Sequence, residues 1–542
     1  MDSTPEKDLN HLSVFLVKHP YEAVDQIVNV TSCEPPIDVH VTGLDVGQLF
    51  IKRMPAKPPR WAKLFREHVD VKSLKVPGIA AAFVAKTAGR WFVLTFGQGG
   101  RFLLRDDVYE ERFGLLCALN AVDQKTFRCV DVQSLDAIQS HKRIQSGQAT
   151  TPDQFGLDVE QDMLKAIVGA SLNPGLGSRM TGSDALSVEV RADLSDLPRL
   201  LNEYRKKSEE DLSATEHQWV NNISLVRSAA LIGDLETTLD AKLSGGDYED
   251  AWLSIPEIID WSSVVGFMFS GSHGAIRPDI TLQGFLAAAE PPVTLDLMRR
   301  RRVFCADADH NCVFKSWPVL KCLYAEVDHQ GSKYILNDGR WFCVAKDFVS
   351  RTDEEYSRLP LSKLALPTYK GGGEGAYNES VAAAEPKRYT LLDDKKKITH
   401  GGGHGQIEVC DLLSIDRELV HVKLYGKSSV FSHLFSQGFV SGQLIRTDSA
   451  FREKVRKQLS GPFADMFSRE GKPTDFTIVY AIISEAPERR PRLPFFSRVN
   501  LNNTARLLKG YGYGVELLKI PVLEEFAKTV KLRPSRKGRT RQ

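Results

Sequence analysis

The stretch Gln406-Ile-Glu-Val-Cys-Asp-Leu-Leu413, followed after four residues by Glu418-Leu-Val-His-Val-Lys-Leu-Tyr425, decides how the C-terminal part of the chain is read. Both runs have strand length and aliphatic, β-branched character, and Ser414-Ile-Asp-Arg417 between them supplies turn formers, so a β-hairpin is predicted. Alternation in the second run sends Val420 and Val422 into a core and leaves His421 and Lys423 together on the other face. A lysine in that alternation is hard to explain as a packing residue. Two registers are open. A turn centred near Asp416 sets Asp411 opposite His421, and a half-residue shift sets Glu408 opposite Lys423. Strict alternation places Glu408 and Asp411 on opposite faces, so both serve one site only if the strand bulges or ends before Asp411.

Outward from the hairpin, 374–384 (EGAYNESVAAA) predicts a helix and 389–392 a short strand. Residues 429–445 predict a helix with Phe431, Leu434, Phe435 and Ile445 on its apolar side and His433, Gln437 and Ser441 on the other. A buried strand (476–484), a helix (497–509) and a strand (515–520) follow. The order is α-β-β-β-α-β, then α-β. Gly/Pro-rich Leu366-Pro-Thr-Tyr-Lys-Gly-Gly-Gly373 marks a domain boundary before it.

This order and its polar residues resemble the restriction-endonuclease-like fold of the PD-(D/E)xK nuclease superfamily, over about residues 374–520. In that superfamily a Glu on the first helix, an Asp on the second strand and a (D/E)-x-K on the third converge at one end of the sheet. The matching positions are Glu374, Asp411 and His421-Val-Lys423. Gln437 matches a polar residue that the following helix projects toward the site. The resemblance implies a nuclease using Mg²⁺ or Mn²⁺, with Asp411 and Glu374 or Glu408 as ligands and Lys423, Asp411, His421 and Gln437 as catalytic residues. The residue types suit the reaction: carboxylates bring a hard cation to the phosphate, and a lysine orients water or offsets developing charge. Histidine stands where the superfamily has Asp or Glu and suits softer ions such as Mn²⁺. Three outcomes are open: His421 is a ligand or base, Glu408 replaces the missing carboxylate, or the site is silent. Each residue also has a structural reading. Glu374 suits a helix's first turn, Asp411 a strand-end turn, Glu408 and Lys423 a cross-strand ion pair, and His433 and Gln437 a solvated face.

The whole chain resembles a sporadically distributed family of bacterial proteins without a settled activity, often encoded among phage-defence genes. The matching stretches are Trp91-Phe-Val-Leu-Thr-Phe-Gly97, Arg112-Phe-Gly-Leu-Leu116 with Ala118-Leu-Asn120, Glu408-Val-Cys-Asp-Leu412, His421-Val-Lys423 and Ser432-His-Leu-Phe-Ser-Gln-Gly438. The resemblance implies a setting of antiviral conflict. A homodimer and a partner protein of a defence system are the protein partners expected, with nucleic acid, DNA ahead of RNA, as substrate. The rival expectation is a catalytically inactive nucleic-acid-binding or regulatory partner-binding protein.

The chain has 542 residues, 42% hydrophobic and 26% charged, which excludes wholesale disorder and predicts several soluble domains. The expected architecture is multidomain, α/β and α+β, with the restriction-endonuclease-like αβββαβ core at its end. Residues 1–150 read as an α+β domain, with a hairpin over 79–96 and a short amphipathic helix over 111–122. Residues 151–365 read as a helix-rich middle region, in which 150–300 is helices with one strand and a hairpin unit stands near 318–348. The nuclease domain takes 374–528 and a basic tail 529–542. Gly339-Arg-Trp-Phe-Cys-Val344 echoes Gly89-Arg-Trp-Phe-Val-Leu94, as an internal repeat or as shared hairpin chemistry. Gly97-Gln-Gly-Gly100 is a turn, since no phosphate-loop pattern surrounds it.

No apolar run approaches the ~18–20 residues of a membrane span, and MDSTPEKDLN has no signal-peptide pattern. The eight cysteines include no C-x-x-C. A reducing cytoplasm therefore fits, with no membrane partner. Cys305 to Cys312 and His400 to His404 read as loops, not metal sites. Lysine plus arginine, at 71, nearly balance 69 acids, so distribution matters more than the net charge. Arg299, Arg300, Arg301 and Arg302 at a helix end, Lys427, and the tail with Arg536 and Lys537 are candidate phosphate contacts.

Overall fold

The computed structural model describes residues 7–526 apart from 66, 69, 98, 106–107, 136–139, 161, 213–217, 260, 262–263, 271–275, 290–291, 307–314, 393–397, 400–405, 426–427 and 469–474. The basic tail with Arg536 and Lys537, Lys427, Cys312, His400 and His404 lie outside the described residues. The chain is mixed α/β and forms two compact units, residues 1–133 with 141–221, and residues 134–140 with 222–542.

The described residues of the first unit carry a ten-stranded sheet. The strand Leu9–Leu16 lies antiparallel between Arg90–Phe96 and Leu186–Arg191. A boundary expected near residue 150 therefore falls inside a sheet, and the unit runs on through the helix Leu197–Glu209. That helix buries Leu197, Leu200, Leu201 and Tyr204, as its spacing predicts. The helix expected at 111–122 is Phe113–Ala121, and it differs in kind: Phe113, Gly114, Leu115, Cys117, Ala118, Leu119 and Ala121 are all buried. It is a core helix, not an amphipathic one. Two glycines let it approach the sheet closely. A Cβ on Gly114 would stand 1.9 Å from the Ala185 carbonyl oxygen, and one on Gly182 would stand 2.3 Å from that of Gly114.

The hairpin echo has a local cause. Ala88-Gly89 and Asp338-Gly339 both take positive φ (46° and 71°, 55° and 71°), and so does Gln330-Gly331 (49° and 71°). Two left-handed residues in succession make the tight turn that matches strand twist. Shared turn chemistry thus explains the likeness of Gly89–Leu94 to Gly339–Val344 without a repeat.

In the second unit, residues 222–300 hold more strands than their sequence suggests. Ile223–Leu225 and Ala251–Leu253 edge a five-stranded sheet with Arg340–Val344, Ser332–Asn337 and Leu323–His329, and Gly266–Phe269 joins a three-stranded one. Ala251–Leu253 and Gly266–Phe269 are buried at every position, so no alternation betrays them.

The C-terminal core comprises α1 (Glu374–Ala384), β1 (Tyr389–Leu391), β2 (Leu412–Ser414), β3 (Glu418–Leu424), α2 (Ser428–Thr447), β4 (Thr477–Ser484), α3 (Phe495–Gly510) and β5 (Gly514–Pro521). The strands lie in the order β1-β2-β3-β4-β5. The first three are antiparallel, and β4 and β5 run parallel to β3. Each face of the sheet is covered. Leu419 and Tyr480 pack with Phe431, Leu434 and Phe435 of α2 and Leu501 and Leu508 of α3, and Val420 and Val422 pack with Tyr377 and Val381 of α1. The Gly/Pro-rich 366–373 segment does not end a compact unit. Leu361 bridges Leu517 and Tyr369 bridges Val522, so it runs beside β5.

A methyl group at residue 114 has nowhere to go but into a backbone carbonyl. Gly114→Ala is expected to destabilise the first unit by at least about 2 kcal/mol. Gly233→Ala, in the helix Ala229–Ser244 with nothing within 4 Å of the new methyl, should stabilise by about 0.5–1 kcal/mol. Urea unfolding of the two variants checks both signs.

Candidate active site

The hairpin takes the first of the two registers. Leu412 pairs with Val420 and Leu413 with Leu419, which carries Asp411 opposite His421. Arg417, at φ 65°, closes the turn, and the Ser414 hydroxyl accepts from the Asp416 and Glu418 amides. The preceding strand is broken: Gln406–Ile407 pairs, among the described residues, with Ile398–Thr399, and 408–411 is not strand. Because β2 begins at Leu412, the edge of β3 beyond Val420 has no neighbouring strand on that side among the described residues.

Two acids take the place of that strand. The Asp411 Oδ2 accepts from the Val422 amide at 2.7 Å, and the Glu374 Oε1 accepts from the Leu424 amide at 3.0 Å. Asn378 Nδ2 donates to Asp411 Oδ1 at 3.1 Å, and Lys423 Nζ donates to Glu374 Oε2 at 2.8 Å. Residues 422 and 424 are two apart, so the two carboxylates stand about 7 Å apart along the strand. Lys423 begins on the α2 face, beside Ile482 of β4, and reaches round the open edge to Glu374. Both side chains stay partly wet, at 24% and 29% exposure. Glu374, Asp411 and Lys423, distant in sequence, thus meet on one rim.

Other candidates lie elsewhere. His421 is 1% exposed, packs against Tyr480 with ring centroids 6.0 Å apart, and its Nε2 has no partner. Burial pushes its pKa down to about 3, so the ring is neutral and out of reach of any phosphate or ion at the rim. The roles of ligand and base expected for it do not hold, because alternation turns it under α2 while the open edge lets only the longer Lys423 escape. Glu408 pairs with Gln437 Nε2 at 3.1 Å, so the two form a polar contact of their own. His433 is exposed and Ser441 is buried, against the expectation that both lie on the solvated side.

The arginine run is dispersed as well. Arg299 pairs with Glu236, Arg300 with Asp296, Arg301 with the Ser270 carbonyl at 3.0 Å, and Arg302 with Ser316 at 2.9 Å. Each of the four adjacent cations is thus engaged by a different partner. Asn378 escaped the sequence reading, although its signal was present: it lies four residues after Glu374 on α1, hence on the same helix face.

Among the described residues no three His, Cys, Asp or Glu side chains stand together to hold a metal ion. Two carboxylates on a wet rim nevertheless suit Mg²⁺, which binds through one or two carboxylates and completes its shell with water and phosphate oxygen. The donor set is all oxygen. With His421 buried, the case for Mn²⁺ from a nitrogen ligand is gone.

The buried imidazole predicts a pH effect. An unfolded histidine titrates near 6.5 and the folded one near 3, so its neutral burial favours the fold fully above about pH 6.5 and progressively less as pH falls toward 3. Between pH 7 and pH 5 this group should cost about 2 kcal/mol of stability. His421→Leu should lose less than wild type over that interval, and equal losses in urea titrations would mean the ring is not held neutral.

No helix of the described residues is long and apolar enough to cross a membrane. No curated protein and no solved structure matches the chain. One sequence family does match, over residues 12–521, nearly the full length and both compact units. The chain belongs to that family, the family of unknown function DUF6119.

Proposed function

We propose that the protein is a metal-dependent nuclease that hydrolyses phosphodiester bonds, in DNA ahead of RNA, and that it acts in the cytoplasm in bacterial antiphage defence. The observation that carries this reading is the meeting of Glu374, Asp411 and Lys423 on the open edge of β3. The α-β-β-β-α-β succession around that edge supports the restriction-endonuclease-like assignment.

The rim carries two carboxylates and one ammonium, a local charge of −1 that repels phosphate by itself. A divalent ion reverses the sign, so substrate binding and ion binding go together. One of Asp411 and Glu374 would hold Mg²⁺ directly and the other through a bound water, and the ion would supply a polarised phosphate oxygen and a water of lowered pKa. Asn378 fixes Asp411 through Oδ1, so the carboxylate does not turn away. Lys423 places its ammonium at the same rim, where it meets the charge that grows on the phosphate.

A second reading has its own observation. His421 occupies the position of an expected acid and is buried, which leaves the rim one carboxylate short. A non-catalytic nucleic-acid-binding protein would retain this geometry.

The test uses plasmid, linear and single-stranded DNA and RNA, with Mg²⁺ or Mn²⁺. Lys423→Ala removes a partly exposed ion pair worth about 0–1 kcal/mol, and Asp411→Asn keeps an acceptor for Val422. Each is expected to lower cleavage at least about 100-fold with melting nearly unchanged. Cleavage shared equally by all preparations, or none with either ion, would overturn the nuclease reading. Salt-sensitive binding without cleavage would select the second one.

A further inference from the structure

Beyond Lys423 on the same face of the strand comes Tyr425, whose amide continues the pairing with β4 by donating to the Ile483 carbonyl at 2.8 Å. Tyr425 lines a cavity of about 230 Å³ between the end of β3, the start of α3 and the five-stranded sheet. Its floor is polar. Asp250, Glu326, Asp328 and Lys333 come from the sheet, and Arg492 comes from the segment that leads into α3.

Most of these charges are already satisfied. Glu326, 4% exposed, accepts from the Phe495 amide at 3.0 Å, where it occupies the N-terminus of α3. Lys333 stands 2.8 Å from Asp328 and 4.0 Å from Glu326. Two groups of opposite sign, Asp250 and Arg492, face the cavity without a close contact to each other among the described residues. Asp250 has the Lys242 ammonium 3.8 Å away and feels Arg492 and Lys333 across the cavity, and Arg492 is exposed and makes no ion pair within 4 Å among the described residues. Tyr356 and Tyr425 add aromatic surface. The volume falls below the ~300–1,000 Å³ of pockets for drug-sized ligands, so it admits one small group.

We infer that this cavity receives a single unstacked guanine of the substrate strand, with Asp250 accepting from its Watson–Crick edge and Arg492 donating to its acceptor edge. A carboxylate offers two adjacent acceptors, and guanine is the base that presents two adjacent N–H donors to it. Its O6 and N7 form the acceptor pair that arginine recognises in bidentate fashion. Bases taken out of the stack are read by such edge contacts and by aromatic packing. The inference rests on the nuclease reading for the source of the base, and it adds a guanine preference to that reading.

Binding separates the two claims. The full-length protein is titrated with dGMP, dAMP, dCMP and dTMP by calorimetry, and each variant's melting is recorded. Saturable dGMP binding at least tenfold tighter than that of the other three, weakened at least tenfold by Asp250→Asn and by Arg492→Ala, is the expected result. Arg492 is exposed, so its variant folds even if Asp250→Asn does not. No dGMP binding, equal binding of all four, or dGMP binding untouched by Arg492→Ala overturns the inference. Selective dGMP binding in a protein that cleaves nothing upholds the cavity and removes the nuclease reading. Cleavage without dGMP selectivity does the reverse.

Discussion

A strand that outruns its neighbour leaves amide groups with nothing to donate to, and a sheet does not tolerate that inside a packed layer. Beyond Val420, β3 is in this position because β2 starts only at Leu412. Asp411 and Glu374 provide the missing acceptors for Val422 and Leu424. The rest of the site follows from this substitution of side chain for strand. Asn378 and Lys423 are drawn in by the carboxylates, and the groups suited to chemistry assemble because the backbone needs them there.

The same constraint decides which residues are left out. Neighbours on one face of a strand have equal access only if the layer above them is equally open. His421 lies under α2, and Lys423 lies where the edge is free and its long side chain can turn the corner. Two residues along the strand separate a neutral, buried ring from a wet ammonium. Glu408 is separated for another reason, since the chain leaves the strand conformation at 408–411 and carries it toward Gln437.

Much of the C-terminal core was legible in the sequence because its helices and strands are long and their apolar spacing is regular. The helix 374–384 and the existence of the hairpin follow from it directly, whereas its register stays open between two alternatives that only the pairing of Leu412 with Val420 decides. The first unit was harder to delimit, since strands beyond residue 150 pair with partners far earlier, Leu186–Arg191 with Leu9–Leu16, and local patterns carry no trace of that. Short strands such as Ala251–Leu253, buried on both faces, look like any apolar run. At the site, Lys423 stood out by its place in the strand alternation, and Asp411 and Glu374 were expected from the resemblance to a known superfamily pattern. The burial of His421 was not, because alternation names a face without saying what covers it. Nor was the dispersal of Arg299 to Arg302, which depends on acids brought close by folding.

The double duty of the two acids bears on how such a protein could change over generations. Exchanging Asp411 or Glu374 for an apolar residue abandons a strand-edge amide as well as any ion, so the fold itself resists that exchange. Lys423 has no such anchor, since its partner is a half-exposed carboxylate already tied to Leu424. A lineage that ceased to need the reaction would therefore shed the amine first and keep the acids as carpentry. Where a relative retains all three, the lysine is the more telling witness of working chemistry.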